Sequence, residues 1–575
     1  MVGESIIDEA ESKPPPATIR FGALLIVALA WVVAAALFPS QPLQQQASAV
    51  GTNGPRGAAL GPDDPGDVTD ASTVGSGPAG GPAATTGSVP GVGPTGTGVT
   101  RGGLACAPGV RQVPNSTYAL PCIPEFTGRN GGTTGPGING DTIRIVRRKF
   151  PESANSRAVD AVVAQAGGAD PAVVKALRDE MIPHYEKYYE LYGRKVEWID
   201  YESRFGNATN EIQNKGREEA CLDAEVVANE LHAFAVVGDD AAVGKLFAEC
   251  VIQRGVLVLD GASYASESWY RSQHPMAWAV VMDCERISWQ VVEYLEKRLA
   301  FKPAKWAGDP AMRTRERAFG VYVPVGDDDV SCSNIIEEEA KRTGIRANST
   351  YRYTLDVSRL PDEAARGVIQ FKRDGVSSLI LACDPISVIF LTQSATNQDW
   401  HPEWVLIGVA LTDIDNAARL YDQEQVAGHL FGMSQLGPTP KIIGPNSEPG
   451  FVYKGFTGKS MPNGTDGRYF HLTHVYNLLQ AGGPNLTPSS IAAGLWSAPP
   501  GGGPFYPAGF WYYQDAPNGA KGGHDHTAIE DSREVYWLTN ARSPGDGEAG
   551  TYIETYRGRR FRNGEWPKED PPIYP

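Results

Sequence analysis

The sequence predicts an α/β fold of two doubly wound parallel-sheet lobes, placed after an apolar N-terminal segment and a Gly/Pro-rich stretch. Three observations predict it. From residue 140 short apolar runs alternate with amphipathic helical patterns, the rhythm begins again near residue 316, and composition changes sharply before residue 140. Short, nearly continuous apolar strands between such helices belong to parallel sheets covered on both faces.

Phe21 to Phe38 reads FGALLIVALAWVVAAALF, without a charge. As a helix it reaches about 27 Å, close to the hydrocarbon core of a bilayer. Lys13 and Arg20 precede it and the next basic residue is Arg56, which orients residues 1–20 toward the cytoplasm. Ala47-Ser48-Ala49 has the small-x-small form of a cleavage site, so both a retained anchor and a cleaved export signal remain open. Either places the bulk of the chain outside the cytoplasm, anchored to the membrane or secreted. Residues 39–139, rich in Gly, Pro, Ser, Thr and Ala, read as a disordered tether.

The first strand is expected at Thr142–Val146 after Gly140-Asp141, and the second at Lys195–Ile199. Leu222, Val226, Val227 and Leu231 recur at helical spacing and hand over to a strand at Phe234–Val237. A helix near 240–252 precedes the run Val256–Leu259, and Ile287, Val291, Leu295 and Leu299 share one helix face. The second series has strands at Phe319–Val323, Ser378–Leu381 and Trp404–Ile407, with helices at 333–341, 362–373 and 385–393.

Acidic side chains outnumber basic ones by 67 to 51, a formal charge of −16. That surplus argues against a phosphate-neutralising surface of the kind nucleic-acid binders carry, and nucleic acid is not an expected partner. The seven cysteines form no CxxC pair, which removes zinc ribbons and thioredoxin-like motifs. Cys106 and Cys122 enclose a short loop and are expected to pair. Cys221 and Cys250 lie on successive helices around one strand, and Cys332 and Cys383 lie on neighbouring units of the second series. These give two further candidate bridges and leave Cys284 over.

Several stretches carry a resemblance: Pro121-Cys122-Ile123-Pro124 through Gly140-Asp141-Thr142-Ile143, HAFAVVGDDAAVGKLFAECVIQRGVLVLDGAS (232–263), SSLILACDPISVIFLTQSATNQDWHPEWVLIGVALTD (377–413), and Tyr469 to Gly482. In their order they resemble the type I periplasmic-binding-protein family, in particular the branched-chain amino acid type of extracellular receptor that feeds ABC transporters. The tethered form is similar to actinobacterial-type members. The resemblance implies a clamshell of the Venus-flytrap kind, with residues 140–315 and 427–528 in one lobe and 316–426 and 529–575 in the other. It implies a protein without catalysis or cofactor that closes on a small solute and presents it to a permease. A sensor ectodomain or cell-envelope interaction protein on the same fold is the alternative.

Open α/β sheets bind ligands beyond the carboxyl ends of their strands. On that rule and on the resemblance the candidate ligand residues are Asp239, Asp240, Ala241, Asp260, Ala262, Ser263 and Tyr264 in the first lobe. In the second they are Asp327, Asp384, Ala410 and Asp413. Ala410 stands where amino acid binders of the family carry an acidic residue, and Asp384 where they carry an aromatic one. The family's serine after the third strand falls near Asp240 or Ala241. An acidic lining from Asp239, Asp240, Asp260 and Asp384 suits an amine or a polyol, while the resemblance points to an amino acid-like solute or an amide.

Other motifs have plainer readings. Gly458-Lys459-Ser460 lacks the glycine a phosphate loop needs, because Tyr453 stands there. Gly261-Ala262-Ser263-Tyr264-Ala265 lacks the last glycine of a nucleophile elbow. His471 and His474 are expected on a helix and His524-Asp525-His526 in a Gly-rich loop, with no third metal ligand at a recognised spacing.

Overall fold

The computed structural model describes residues 97–573 apart from 154–155, 158–160, 162–168, 213, 239–242, 262–264, 326–331, 436–446, 463, 503–510, 515–522 and 545. The apolar segment 21–38 therefore lies outside the described residues. Among the described residues no helix is long and apolar enough to cross a membrane.

The first sheet has four parallel strands: β1 (Thr142–Lys149), β2 (Lys195–Glu202), β3 (Ala235–Gly238) and β4 (Leu257–Asp260), in the order β2-β1-β3-β4. In β1 the alternation of the strand sends Ile143 and Ile145 to one face and Val146 to the other. The chain's helices supply both covers. Helix α1 (Pro171–Tyr188), capped by Asp170 and started by Pro171, lies on the Ile143 face. On the Val146 face lie α2 (Arg217–Glu225), α3 (Lys245–Gln253) and α4 (Glu267–Gln273).

Helix α5 (Cys284–Tyr294), capped by Asp283 and continued by a wider turn to Leu299, carries the chain to the second sheet. That sheet begins with β5 (Phe319–Pro324), β6 (Ala347–Tyr353), β7 (Ser378–Leu381), β8 (Glu403–Ile407) and β9 (Leu430–Ser434), all parallel to their neighbours. Helix α6 (Ser333–Arg342) joins α5 on one face, while α7 (Leu360–Arg373) and α8 (Pro385–Asn397) cover the other.

The chain then returns to the first sheet as α9 (Glu448–Thr457), α10 (Asp466–Ala481) and α11 (Pro488–Ser497), and α10 packs beside α1. Finally β10 (Ser532–Arg542), β11 (Ala549–Glu554) and β12 (Arg560–Phe561) add antiparallel strands to the second sheet, whose order is β11-β10-β9-β8-β7-β5-β6. Two crossing segments run side by side between the sheets. Ala279 N–H donates to His526 O at 3.0 Å, and Ala528 and Ile529 N–H donate back to Ala279 and Val280 O. One apolar core runs from the α1 face of the first sheet, through Trp278 and Met282, to the α5 face of the second.

Four expectations need correction. Helix α5 belongs with the second sheet, because its stripe of Ile287, Val291 and Leu295 shares a core with Phe319, Val405 and Ile407. Strand β9, assigned to the first lobe with residues from 427, pairs in parallel with β8. Residues 97–139 are folded onto the helices that cover the first sheet, with Val113, Tyr118 and Ala119 buried and Asn477 bonded to the Tyr118 carbonyl. They need no periodicity because a bridge and side-chain bonds to the main chain hold them.

The last correction concerns cysteine pairing. The bridges Cys106–Cys122 and Cys221–Cys250 form as expected, but Cys332 pairs with Cys284, and Cys383 is the free, buried thiol. Cys284 opens α5 and Cys332 immediately precedes α6, and the two helices lie together on one face of the sheet. Cys383 lies in the core on the opposite face.

Candidate functional site

Strand order reverses between β1 and β3, and the carboxyl ends of these strands form the floor of a small cavity. Arg147 comes from near the end of β1 and Trp198 from the middle of β2, while Gly238 and Asp260 end β3 and β4. Arg178 on α1 and Arg468, His471 and Val475 on α10 close its sides. The cavity measures about 20 Å³, room for a single water.

The lining is basic. Arg147 is buried, stacked 5.1 Å over Trp198, with Nε donating to Asp200 Oδ1 at 2.7 Å and Nη1 3.6 Å from Asp179. Burial and the neighbouring Arg147 charge lower the pKa of Arg178, whose Nε donates to Asp179 at 3.2 Å. Sequence reasoning omits Arg147, Arg178 and Arg468. The available signal was Arg147-Arg148 at the carboxyl end of the first strand. Pleating sends the two arginines to opposite faces. Arg148 is buried among Glu211, Asp223 and the rings of Phe150 and Phe247, with Nη2 donating to Glu211 at 2.6 Å and to Asp223 at 2.7 Å.

Asp260 ends β4 and is buried. Its Oδ2 accepts from His471 Nδ1 and its Oδ1 from Val280 N–H at 3.2 Å. Burial pushes its pKa up, but the charge and hydrogen bond of His471, with His474 and Val280 N–H, outweigh this and hold the carboxyl below its usual range. His474 lies one turn on, fully buried. Its Nε2 faces Leu259 O at 2.7 Å, an acceptor, so that nitrogen carries the proton, and Nδ1 accepts from the Tyr512 hydroxyl at 2.7 Å. Burial lowers its pKa to about 4.

Beside the second sheet Asp384 caps α8. Oδ1 accepts from Ser387 N–H at 2.9 Å, while Oδ2 accepts from Ser387 Oγ at 2.6 Å and from the Tyr353 hydroxyl at 2.5 Å. Ala410 and the exposed Leu411 both hold positive φ, 52° and 63°, in the loop after β8. Asp413 is buried, and its charge supports that of the buried Arg533. Asp239, Asp240, Ala241, Ala262, Ser263, Tyr264 and Asp327 lie outside the described residues. The structure therefore brings Asp260 to the cavity and puts Asp384, Ala410 and Asp413 at the carboxyl edge of the second sheet.

His526 is not in an open loop. It sits on a crossing segment, buried, with Nδ1 3.1 Å from Glu267 Oε1 and Nε2 3.0 Å from His274 Nδ1. Pairing with Ala279 draws residues 525–529 into the core. Among the described residues no group of three or more His, Cys, Asp or Glu is placed to hold a metal ion.

Comparison with protein-family models and with curated protein sequences finds no match. Solved structures similar to the chain include a branched-chain amino acid transporter substrate-binding protein from Streptococcus pneumoniae in complex with isoleucine. It has 12% identity and a TM-score of 0.46, over 72% of this chain and 100% of that chain. A substrate-binding ABC transporter protein from Aeropyrum pernix has 12% identity and a TM-score of 0.48, over 74% and 96%. A solute-binding protein from R. palustris in complex with 4-hydroxybenzoate has 11% identity and a TM-score of 0.47, over 74% and 99%. At these identities the likeness concerns the path of the chain and not the solute.

Proposed function

We propose that this chain is an extracytoplasmic solute-binding protein, which captures a small acid or zwitterion between two lobes without chemistry and presents it to an ABC-type permease. The observation that supports the solute class is the basic cavity of Arg147, Arg178, Arg468 and His471 at the strand-order reversal of the first sheet. A carboxylate arriving there meets guanidinium groups in a site of low water content, where charge-assisted hydrogen bonds are strongest. In this reading the loops carrying Asp239, Asp240, Ala241, Ala262, Ser263 and Tyr264 complete the first wall. Asp327, Asp384, Ala410 and Asp413 mark the second. Only the closed form gains both sets of contacts, so binding shifts the population toward closure about the paired crossing segments. Residues 21–38 serve as anchor or export signal.

The test is a thermal-shift screen of the full chain against amino acids, dicarboxylates, aromatic acids, polyamines and sugars. A ligand at 100 times its dissociation constant adds about 2.7 kcal/mol. The expected result is stabilisation by a carboxylate, weakened at least tenfold in affinity by Arg468→Ala. Stabilisation by polyamines alone, or by nothing in the panel, would overturn the reading.

A further inference from the structure

A second cavity lies on the α6 face of the second sheet, between that helix and the strands. Its volume is about 500 Å³, within the range of small-molecule sites, whereas packed interiors leave few voids larger than a water. Its floor is apolar: Val321, Val323, Ile380 and Ile407 from three adjacent strands. Its roof is Ile336 of α6.

The space has an identifiable cause. Helix α6 reads SNIIEEEAKR, with a small Ala340 on its inner side and few large apolar residues to fill the gap. Edge strand β6 buries Ser349 and Tyr353 on the far face and leaves Ala347, Thr350 and Arg352 exposed on the near one. Nothing bulky on β6 closes the cavity.

The rim is cationic in a chain of formal charge −16. Lys341, Arg346 and Arg352 line it, together with the single carboxylate of Glu337. Lys341 is neutralised by Glu338 at 2.8 Å and Glu337 at 3.4 Å. Among the described residues Arg352 meets only the side-chain oxygen of Asn334, at 3.2 Å, and Arg346 has no carboxylate partner. An apolar trough that ends at two guanidinium groups without a carboxylate partner among the described residues matches one kind of ligand.

We propose that this cavity binds a single-chain amphiphile with an anionic head, its chain along Val321 and Ile380 and its head at Arg346 and Arg352. The proposal does not depend on the reading of the solute cleft. A free carboxylate and a lysolipid share this chemistry.

The test is isothermal titration of the full chain with dodecanoate, decanoate, dodecylamine and dodecyl-chain lysophosphatidylglycerol, each below its micelle concentration. Dodecanoate should bind saturably. Decanoate should bind about fifteenfold more weakly, from about fourfold per methylene buried. Dodecylamine should not compete. Val321→Trp, which fills the trough, should lose at least tenfold, and Arg346→Glu with Arg352→Glu at least fivefold. Ile336→Trp, on the helix side, repeats the filling test should Val321→Trp fail to fold by circular dichroism. Tighter binding of the lysolipid than of dodecanoate assigns the source to membrane lipid, and the reverse to a free acid; both support the site. Equal binding of dodecanoate and dodecylamine, no dependence on chain length, or unchanged binding in the two folded tryptophan variants overturns it. So does a sedimenting dimer that Val321→Trp abolishes, which would give the face to a second copy of the chain.

Discussion

Asp260 and His471 join the end of the last strand in the first sheet to a helix 211 residues later in the chain. The intervening residues build most of the second sheet. The pair therefore fixes where the returning helix α10 sits on the first sheet, and with it the position of Arg468, one turn earlier, on the cavity wall.

Removing His471 leaves a buried carboxylate with only Val280 N–H among the described residues. Because the His471 side chain is 44% exposed, water recovers part of the loss. His471→Ala should cost about 1–3 kcal/mol in urea unfolding. In a double-mutant cycle with Asp260→Asn the two losses should fall short of their sum. Full additivity would mean that the two side chains do not interact.

Two buried groups give opposite pH dependences. His474, lowered to about 4 by burial, stays neutral in the fold while the unfolded chain takes up its proton near pH 6.5. Its share of stability is present above pH 6.5 and is lost as pH falls toward 4. Asp283, raised to about 6 by burial with the nearby Glu267 charge adding, keeps its proton in the fold while the unfolded chain releases it near 3.9. Its share is present below pH 4 and is lost as pH rises to 6. Asp283→Asn retains a capping side chain and removes only the second slope. Relative to the parent, the variant should gain about 2 kcal/mol between pH 4.5 and 7 in urea unfolding. Parallel profiles would refute the assignment.

Cys383 is buried, and burial with the neighbouring Asp384 charge pushes its thiol pKa up. The folded chain should resist iodoacetamide, and the unfolded, unreduced chain should take up one equivalent, at Cys383. Peptide mapping should recover Cys284 bridged to Cys332, 48 residues apart. Cys284→Ser with Cys332→Ser should cost about 4 kcal/mol by loop-closure entropy. A Cys332–Cys383 peptide would contradict the pairing.

Arg148 neutralises Glu211 and Asp223, and all three side chains are buried. Arg148→Ala leaves two carboxylates in the core without their cation and should cost about 3–5 kcal/mol. Glu211→Gln, which keeps a hydrogen-bonding oxygen, should cost less. A loss under 1 kcal/mol in Arg148→Ala, followed by urea unfolding, would mean that water reaches the cluster.

The two series of strands and helices were legible because their strands are short, nearly continuous apolar runs and their helices repeat apolar residues every three to four positions, and both signals are local. β6 was not. Its sequence, ANSTYRY, buries one face through Ser349 and Tyr353 while the other stays polar, as an edge strand permits. Residues 97–139 were misread for a related reason. They are held by a disulfide and by contacts to Tyr188, Glu448 and Asn477, far along the chain.

By itself the sequence determined the α/β class, the two series and the bridges Cys106–Cys122 and Cys221–Cys250, since each depends on residues close in the chain. Tertiary structure alone decided that Cys332 meets Cys284, that α5 and β9 belong to the second sheet, and that Arg147, Arg178, Arg468 and His471 surround one cavity. Those residues come from β1, α1 and α10, and nothing short of packing the returning helix against the first sheet brings them together.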